Sequence, residues 1–299
     1  MSDIRFDDRV AIVTGAGGGL GRSHAMLLAS RGAKVVVNDL GGSVDGSGAG
    51  SAAADKVVDE IKAAGGEAVA NYDSVNSEDG AANIVKTALD AFGRVDIIVN
   101  NAGILRDVTF HKLSKEQWDS VLSVHLEGTM LVTRAAWPVM REAGYGRIVN
   151  TTSAAGLYGN FGQANYAAAK LGIVGLSRTL AHEGAKYNIR TNVISPVAKS
   201  RMTEGILPPP VLDQLKPEYV SALVAYLASE EFESTGQVYA VGAGYVSRVA
   251  VVEGKGARLE PADAAAPEAV RSHWEAVSDL SEAKPYKNAM EAAGATLES

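Results

Sequence analysis

The segment Val10–Gly21, VAIVTGAGGGLG, runs an apolar strand-like stretch straight into a glycine turn and then into a helical pattern. Such a strand–turn–helix start has to continue as βαβ units, and the rest of the chain keeps the alternation. Strands are expected at Val10 to Thr14, Lys34 to Asp39, Glu67 to Asn71, Val95 to Asn100, Arg147 to Thr152, Ile189 to Ser195 and Gln237 to Val241. Most are nearly continuous Val/Ile runs, as strands covered on both faces should be. Helices are expected near Leu20 to Ser30, Ser51 to Ala64, Glu78 to Phe92, Ser114 to Glu142, Gln163 to Tyr187 and Pro217 to Ser229. Ser114 and Gln117 have capping-box spacing and fix one helix start. The expected fold is α/β, a doubly wound parallel sheet of about seven strands. With 46% hydrophobic residues over 299, there is material for a core on both faces of it.

Two stretches break the rhythm. Gly41 to Ser51, GGSVDGSGAGS, lengthens the link after the second strand; it reads as a surface insertion or as a flap near a bound ligand. After about Val249 the alternation stops, which divides the chain into 1–248 and a helical extension, 249–299. There Pro267 can open a helix on which Val270, Trp274, Val277 and Leu280 share one face. That stripe needs cover, from its own domain or from a partner subunit.

Glycines after a first strand let backbone N–H groups approach a pyrophosphate, and the following helix end favours the anion. Gly15, Gly19, Leu20 and Gly21 are therefore candidate dinucleotide contacts. An acidic residue is then wanted at the end of the second strand, and Asp39 stands there. A carboxylate accepts the adenosine ribose hydroxyls and repels the extra phosphate of NADP, so NAD is the expected cofactor. Arg22, just past the last glycine, argues only weakly the other way. Asp73, with Ser74 beside it, is placed to meet the adenine, although a capping role suits it nearly as well. Asn101, Ala102 and Gly103 follow the fourth strand, where small residues let the chain pass close to a cofactor.

Tyr166 and Lys170 are four apart on the expected helix and project from one face. Ser153 ends the fifth strand thirteen residues earlier. A phenol with a pKa of ~10 is a poor base at neutral pH. A neighbouring ammonium favours the phenolate, and a serine can hold a substrate oxygen against it. The set suits removal of a hydroxyl proton while the carbinol carbon gives up a hydride.

The formal net charge of −7 argues against a general nucleic-acid or anionic-membrane binder. Without cysteine there are no thiolate nucleophiles or Cys-ligated metals. The apolar runs are strand-sized, the N-terminus MSDIRFDDRV has no signal-like run, and TLES does not fit an SKL-type address. A soluble cytoplasmic protein, with no metal, is the expectation.

With TGAGGGLG, NNAG, Ser153 and YAAAK in order, the chain resembles the short-chain dehydrogenase/reductase family over roughly residues 5 to 245. The resemblance implies a Rossmann-type fold and an NAD-dependent enzyme acting on CH–OH. It also implies that Lys170 holds the nicotinamide ribose hydroxyls next to Tyr166. His125, in SVHLEG, stands where the family has a helix asparagine whose backbone carbonyl holds a relay water. Pro196 matches a proline after the sixth strand. Val197 replaces the usual glycine, and the carboxamide contact is assigned to Ser200. Within the family, NYDSV, NNAGILRD, YGNFGQANY, KPEYV and PEAVRSHWE are similar to the (3R)-hydroxyacyl-CoA dehydrogenase group of β-oxidation. That similarity implies an acyl-CoA substrate and a homodimer with the C-terminal extension at its interface. Arg106, Lys112 and Arg201 are candidates for a basic rim toward CoA phosphates. A dehydrogenase of a steroid or other bulky alcohol, and a non-catalytic NAD(H)-binding sensor, are the alternatives.

Overall fold

The computed structural model describes residues 3–43, 45–48, 50–199 and 208–298. Ser200 and Arg201 lie outside the described residues. Contacts divide the chain into a unit ending at Arg248 and a second from Val249.

The first unit alternates as its sequence pattern requires. It runs β1 (Val10–Thr14), α1 (Gly19–Ser30), β2 (Lys34–Asn38), α2 (Ala52–Ala63), β3 (Glu67–Asn71), α3 (Glu78–Phe92) and β4 (Ile97–Asn100). It continues with α4 (Lys115–Leu122), α5 (Gly128–Ala143), β5 (Gly146–Thr151), α6 (Ala154–Tyr158), α7 (Ala164–Gly184) and β6 (Ile189–Pro196). Then come α8 (Pro209–Leu212), α9 (Pro217–Ala228), β7 (Val238–Gly242) and β8 (Tyr245–Val249). The strand order is β3-β2-β1-β4-β5-β6-β7-β8, and the strands from β3 to β7 pair in parallel. Order reverses on either side of β1, which opens a crevice at the carboxyl ends of β1 and β4.

Helices cover both faces. Ala25 and Leu28 of α1, Val57 and Ile61 of α2, and Val220, Val224 and Leu227 of α9 pack with Val13, Val35 and Val99. On the other face Ile84 and Ala88 of α3 and Val132, Ala136 and Met140 of α5 pack with Ile12, Val36, Ile98 and Ile148. Alternate residues of each strand thus feed opposite cores, which is why the strands read as unbroken apolar runs. Register brings Thr14 beside Asn38, Asn38 beside Asn71, and Asn100 beside Asn150. These asparagines are buried and paired: Asn38 Nδ2 donates to Asn71 Oδ1 at 2.8 Å, and Asn100 Nδ2 to Asn150 Oδ1 at 2.9 Å. Satisfied in this way, they cost little and lock the carboxyl edge of the sheet.

Two departures from expectation have local causes. An eighth strand follows the seventh through a two-residue turn at Ala243 and Gly244, both at positive φ (49° and 78°), and such a short connection implies an antiparallel return. Alanine is no signature of that conformation, so the hairpin is silent in sequence. The single helix expected over Ser114 to Glu142 is instead α4 and α5 joined by a widened turn, Ser123–Glu127, in which Gly128 N–H reaches back to Ser123 O. The capping box at Ser114 and Gln117 is present in both directions.

The second unit holds α10 (Pro267–Ser272), α11 (Trp274–Ser278) and α12 (Ala289–Glu298). An antiparallel bridge between Glu253 and Lys284 has both of its bonds at 3.0 Å. Val270, Trp274, Val277 and Leu280 are all exposed in the single chain. Among the described residues no helix is long and apolar enough to cross a membrane.

Candidate active site

The glycine turn is built for close approach. A Cβ on Gly15, whose φ is +62°, would sit 2.8 Å from Ala102 Cα, and one on Gly21 would sit 2.2 Å from the Gly15 carbonyl oxygen. At Gly18 it would meet nothing within 4 Å, so space lies open above the turn. The N-terminus of α1 has neither a side-chain cap nor an acidic residue in its first turn, leaving its free N–H groups for an anion. Thr14 and Asn101 tie this turn to the end of β4. Thr14 Oγ1 accepts from Asn101 N–H and Ala102 N–H, each at 3.1 Å, and Asn101 Nδ2 donates to Thr14 O and Gly15 O at 3.0 and 3.1 Å. Asn101 therefore shapes the crevice. Gly19 is the exposed first residue of α1, and Leu20 is partly buried against the core. A dinucleotide fits this cradle.

Asp39 sits just past β2 with both oxygens engaged, Oδ2 by Gly17 N–H and Oδ1 by Gly41 N–H, each at 2.7 Å. A carboxylate oxygen accepts more than one donor, so ribose hydroxyls can still be received there. Arg22 is paired with Glu60 at 2.7 Å. Asp73 accepts from Asn71 Nδ2 at 2.8 Å and Asn83 Nδ2 at 3.3 Å; the helix that follows is capped by Ser77, which accepts from Gly80 N–H at 3.1 Å. Ser74 bonds Asn76 at 2.5 Å.

Ser153, Tyr166 and Lys170 come together at the end of β5. Ser153 caps α6, accepting from Ala155 N–H at 3.2 Å. Tyr166 lies two residues inside α7, near enough to Ser153 for that side chain to act on its hydroxyl. Lys170, buried, donates to Thr151 O at 2.7 Å, its Nζ 5.5 Å from the centre of the Tyr166 ring. The electrostatics correct the expectation from sequence. Burial raises the Tyr166 phenol above its usual value, and the Ser153 side chain opposes this only in part. The same burial pulls Lys170 down to about 7. In the free chain, then, burial sets the direction at both groups. Desolvation is the largest cause at both groups, because neither charge is welcome in that environment, and the charge of Asp107 raises the phenol further.

His125 lies in the widened turn and is buried, its ring edge-on to Tyr166 with centroids 5.1 Å apart at 85°. Nε2 is 2.7 Å from Ile104 O and 3.1 Å from Ile104 N. The shorter contact assigns the proton to Nε2, which donates to that carbonyl, and Nδ1 then has no partner among the described residues. Burial, followed by the charge of Lys170, holds this imidazole well below the usual range. It is neutral at working pH. A Cβ on Gly103 would strike His125 Cε1 at 2.2 Å, so that glycine makes room for the ring.

Two positioning residues carry no motif and escape sequence reasoning. Asn165, buried, donates to Arg106 O at 3.2 Å and Gln117 O at 3.1 Å, and accepts from Tyr166 N–H at 2.8 Å. Gly156 lets α6 press on α7, since a Cβ there would lie 2.7 Å from Lys170 Cβ. Only its place three residues after Ser153 hints at this. Pro196 ends β6 opposite Val241. Of the expected basic rim, Lys112 is exposed, whereas Arg106 is engaged by Asp45 O at 3.1 Å.

Residues 9–207 match the short chain dehydrogenase family. A putative short-chain type dehydrogenase/reductase of Mycobacterium tuberculosis is 61% identical over 93% of this chain and 96% of its own length. The peroxisomal hydratase-dehydrogenase-epimerase of Saccharomyces cerevisiae is 54% identical over 95% of this chain, which spans only 31% of that protein. The solved full-length peroxisomal multifunctional enzyme type 2 from Drosophila melanogaster superposes with a TM-score of 0.84 and 45% identity, covering 99% of this chain and 50% of that one. Two of these names carry a peroxisomal location, which differs from the cytoplasmic one expected from this sequence.

Proposed function

The chain belongs to the short-chain dehydrogenase family, and from that premise we propose that it oxidises a (3R)-hydroxyacyl-CoA to the 3-ketoacyl-CoA with NAD. The observation that carries the chemistry is the meeting of Ser153, Tyr166 and Lys170 beside the glycine cradle. Bound NAD supplies the hydride acceptor. Ser153 Oγ holds the substrate oxygen, Tyr166 Oη takes its proton, and the carbinol C–H is thereby aimed at the cofactor. Only one of the three Lys170 donors has a partner among the described residues, so the others are free for ribose hydroxyls. Asp39, at the ribose position, favours NAD over NADP.

The acyl-CoA part rests on the sequence similarity. It is supported by the yeast relative's name, which joins a hydratase to a dehydrogenase; hydration would make the hydroxyl that this site oxidises. Initial rates with both 3-hydroxybutyryl-CoA enantiomers, and with NAD and NADP, test the reading. Activity with the R enantiomer and NAD is expected. Activity confined to the S enantiomer, or none at any chain length, would overturn it. The exposed rings of Phe110, Tyr158 and Phe161 favour a second reading, a steroid or other bulky alcohol, which faster turnover of such an alcohol in the same panel would establish.

His125 is assigned a positioning role. A general acid–base group costs about 10²–10⁴-fold when lost. Since burial keeps this ring neutral, His125→Asn is expected to lower kcat by less than about tenfold, with an unshifted pH profile. We further propose a homodimer with the 249–299 unit at its interface, where the partner subunit covers the exposed Trp274 stripe. Light scattering should give the dimer mass for the native chain and a monomer for Trp274→Asp.

A further inference from the structure

The described residues of the insertion after β2, 41–43, 45–48 and 50–51, are joined by hydrogen bonds at its base and inside it. Gly50 N–H bonds Leu40 O at 2.9 Å to close its base, and Ser43 N–H bonds Ser47 O at 2.8 Å inside it. The Asp45 carboxylate accepts from Ser47 N–H at 3.0 Å and from the Ser47 hydroxyl at 2.8 Å. Gly41 sits at a φ of +76°, and a Cβ there would lie 2.0 Å from Gly50 O, so the position takes only glycine.

What the loop touches matters more. Its base hangs from Asp39, the same carboxylate that holds Gly17 of the glycine turn. Its tip rests on the segment after β4. Arg106 Nε donates to Asp45 O at 3.1 Å, and a Cβ on Gly46 would lie 3.1 Å from Ile104 Cγ2. In the sheet β1 lies between β2 and β4. A loop hung from the end of β2 and resting on the end of β4 must cross the carboxyl end of β1, over the Gly15–Gly19 turn. Its resting place is itself fixed toward the catalytic helix, through Ile104 to His125 and Arg106 O to Asn165.

We propose that this insertion is the outer wall of the dinucleotide site and that Arg106 is its latch, so that cofactor enters and leaves only when the Asp45–Arg106 contact opens. The proposal rests on the dinucleotide reading given above. It assigns Arg106 to cofactor retention rather than to a CoA rim. Asp39 then serves both sides, holding the wall through Oδ1 and the glycine turn through Oδ2.

The absence of cysteine permits a direct test. A Cβ on Gly46 would stand 3.8 Å from Ile104 Cβ, within the span a disulfide bridges. In the double variant Gly46→Cys/Ile104→Cys, NADH release is followed by stopped-flow fluorescence, oxidised and then reduced, with mass spectrometry confirming the bond. The positive φ of Gly46 strains both forms equally, so their ratio isolates the link. Oxidation is expected to slow NADH release about tenfold or more, and reduction to restore it. A single Arg106→Ala variant is expected to speed release about fivefold, the effect of one lost hydrogen bond. Equal release from bonded and reduced forms would overturn the proposal. So would failure of the bond to form together with unchanged release from Arg106→Ala. If the native chain binds no NADH, the dinucleotide reading itself falls, and this proposal falls with it.

Discussion

Tyr166→Phe is expected to cut turnover about 10³-fold or more while leaving NADH affinity within about twofold. The phenyl ring keeps its edge contact with His125 and its seat over Lys170; only the proton acceptor is removed. Turnover surviving that change would mean that the hydroxyl is not the base, and NADH binding without activity in the native chain would favour a sensor. The pH dependence follows in sign. Oxidation needs the deprotonated phenol, and burial raises Tyr166, so kcat/KM for the alcohol should climb on the alkaline side. Reduction of the ketone needs the protonated phenol and should fall there. Parallel pH profiles in the two directions would contradict the assignment.

Gly21→Ala is expected to lower NADH affinity about 10–100-fold, the equivalent of about 1–3 kcal/mol of overpacking. The added methyl would meet a backbone oxygen, Gly15 O at 2.2 Å, and Asn101 Nδ2 at 2.6 Å, neither of which is the loose end of a flexible chain. Relief must come from moving the turn off the β4 end. Isothermal titration with NADH, beside a thermal melt, separates loss of the cradle from loss of the fold. Unchanged affinity would show that the turn is not where the cofactor sits.

These two changes differ in kind, and so does how much of each site is legible in sequence. The glycine turn and the Ser153–Tyr166–Lys170 set can be read because short-range geometry fixes them: a strand end, a helix start, an i to i+4 spacing. The parallel sheet is legible for the same reason, its strands being covered on both faces. Asn165 and Gly156 are illegible because their roles depend on which helices meet, and nothing adjacent in sequence announces the meeting. The widened turn at Ser123–Glu127 is hidden inside an ordinary helical pattern. The direction of the Tyr166 shift in the free chain is illegible for a related reason. Proximity of Lys170 can be counted from sequence, but desolvation depends on everything else packed around the pair.

Gly103 and His125 share one volume: a Cβ at the first would lie 2.2 Å from Cε1 of the second, too close for any side chain while the ring is there. The two positions cannot drift separately. A lineage that enlarges the loop residue must first shrink or swing away the imidazole, and one that abandons the imidazole leaves a void beside Tyr166. The order of such replacements is therefore constrained by steric exclusion alone, before any selection on catalysis.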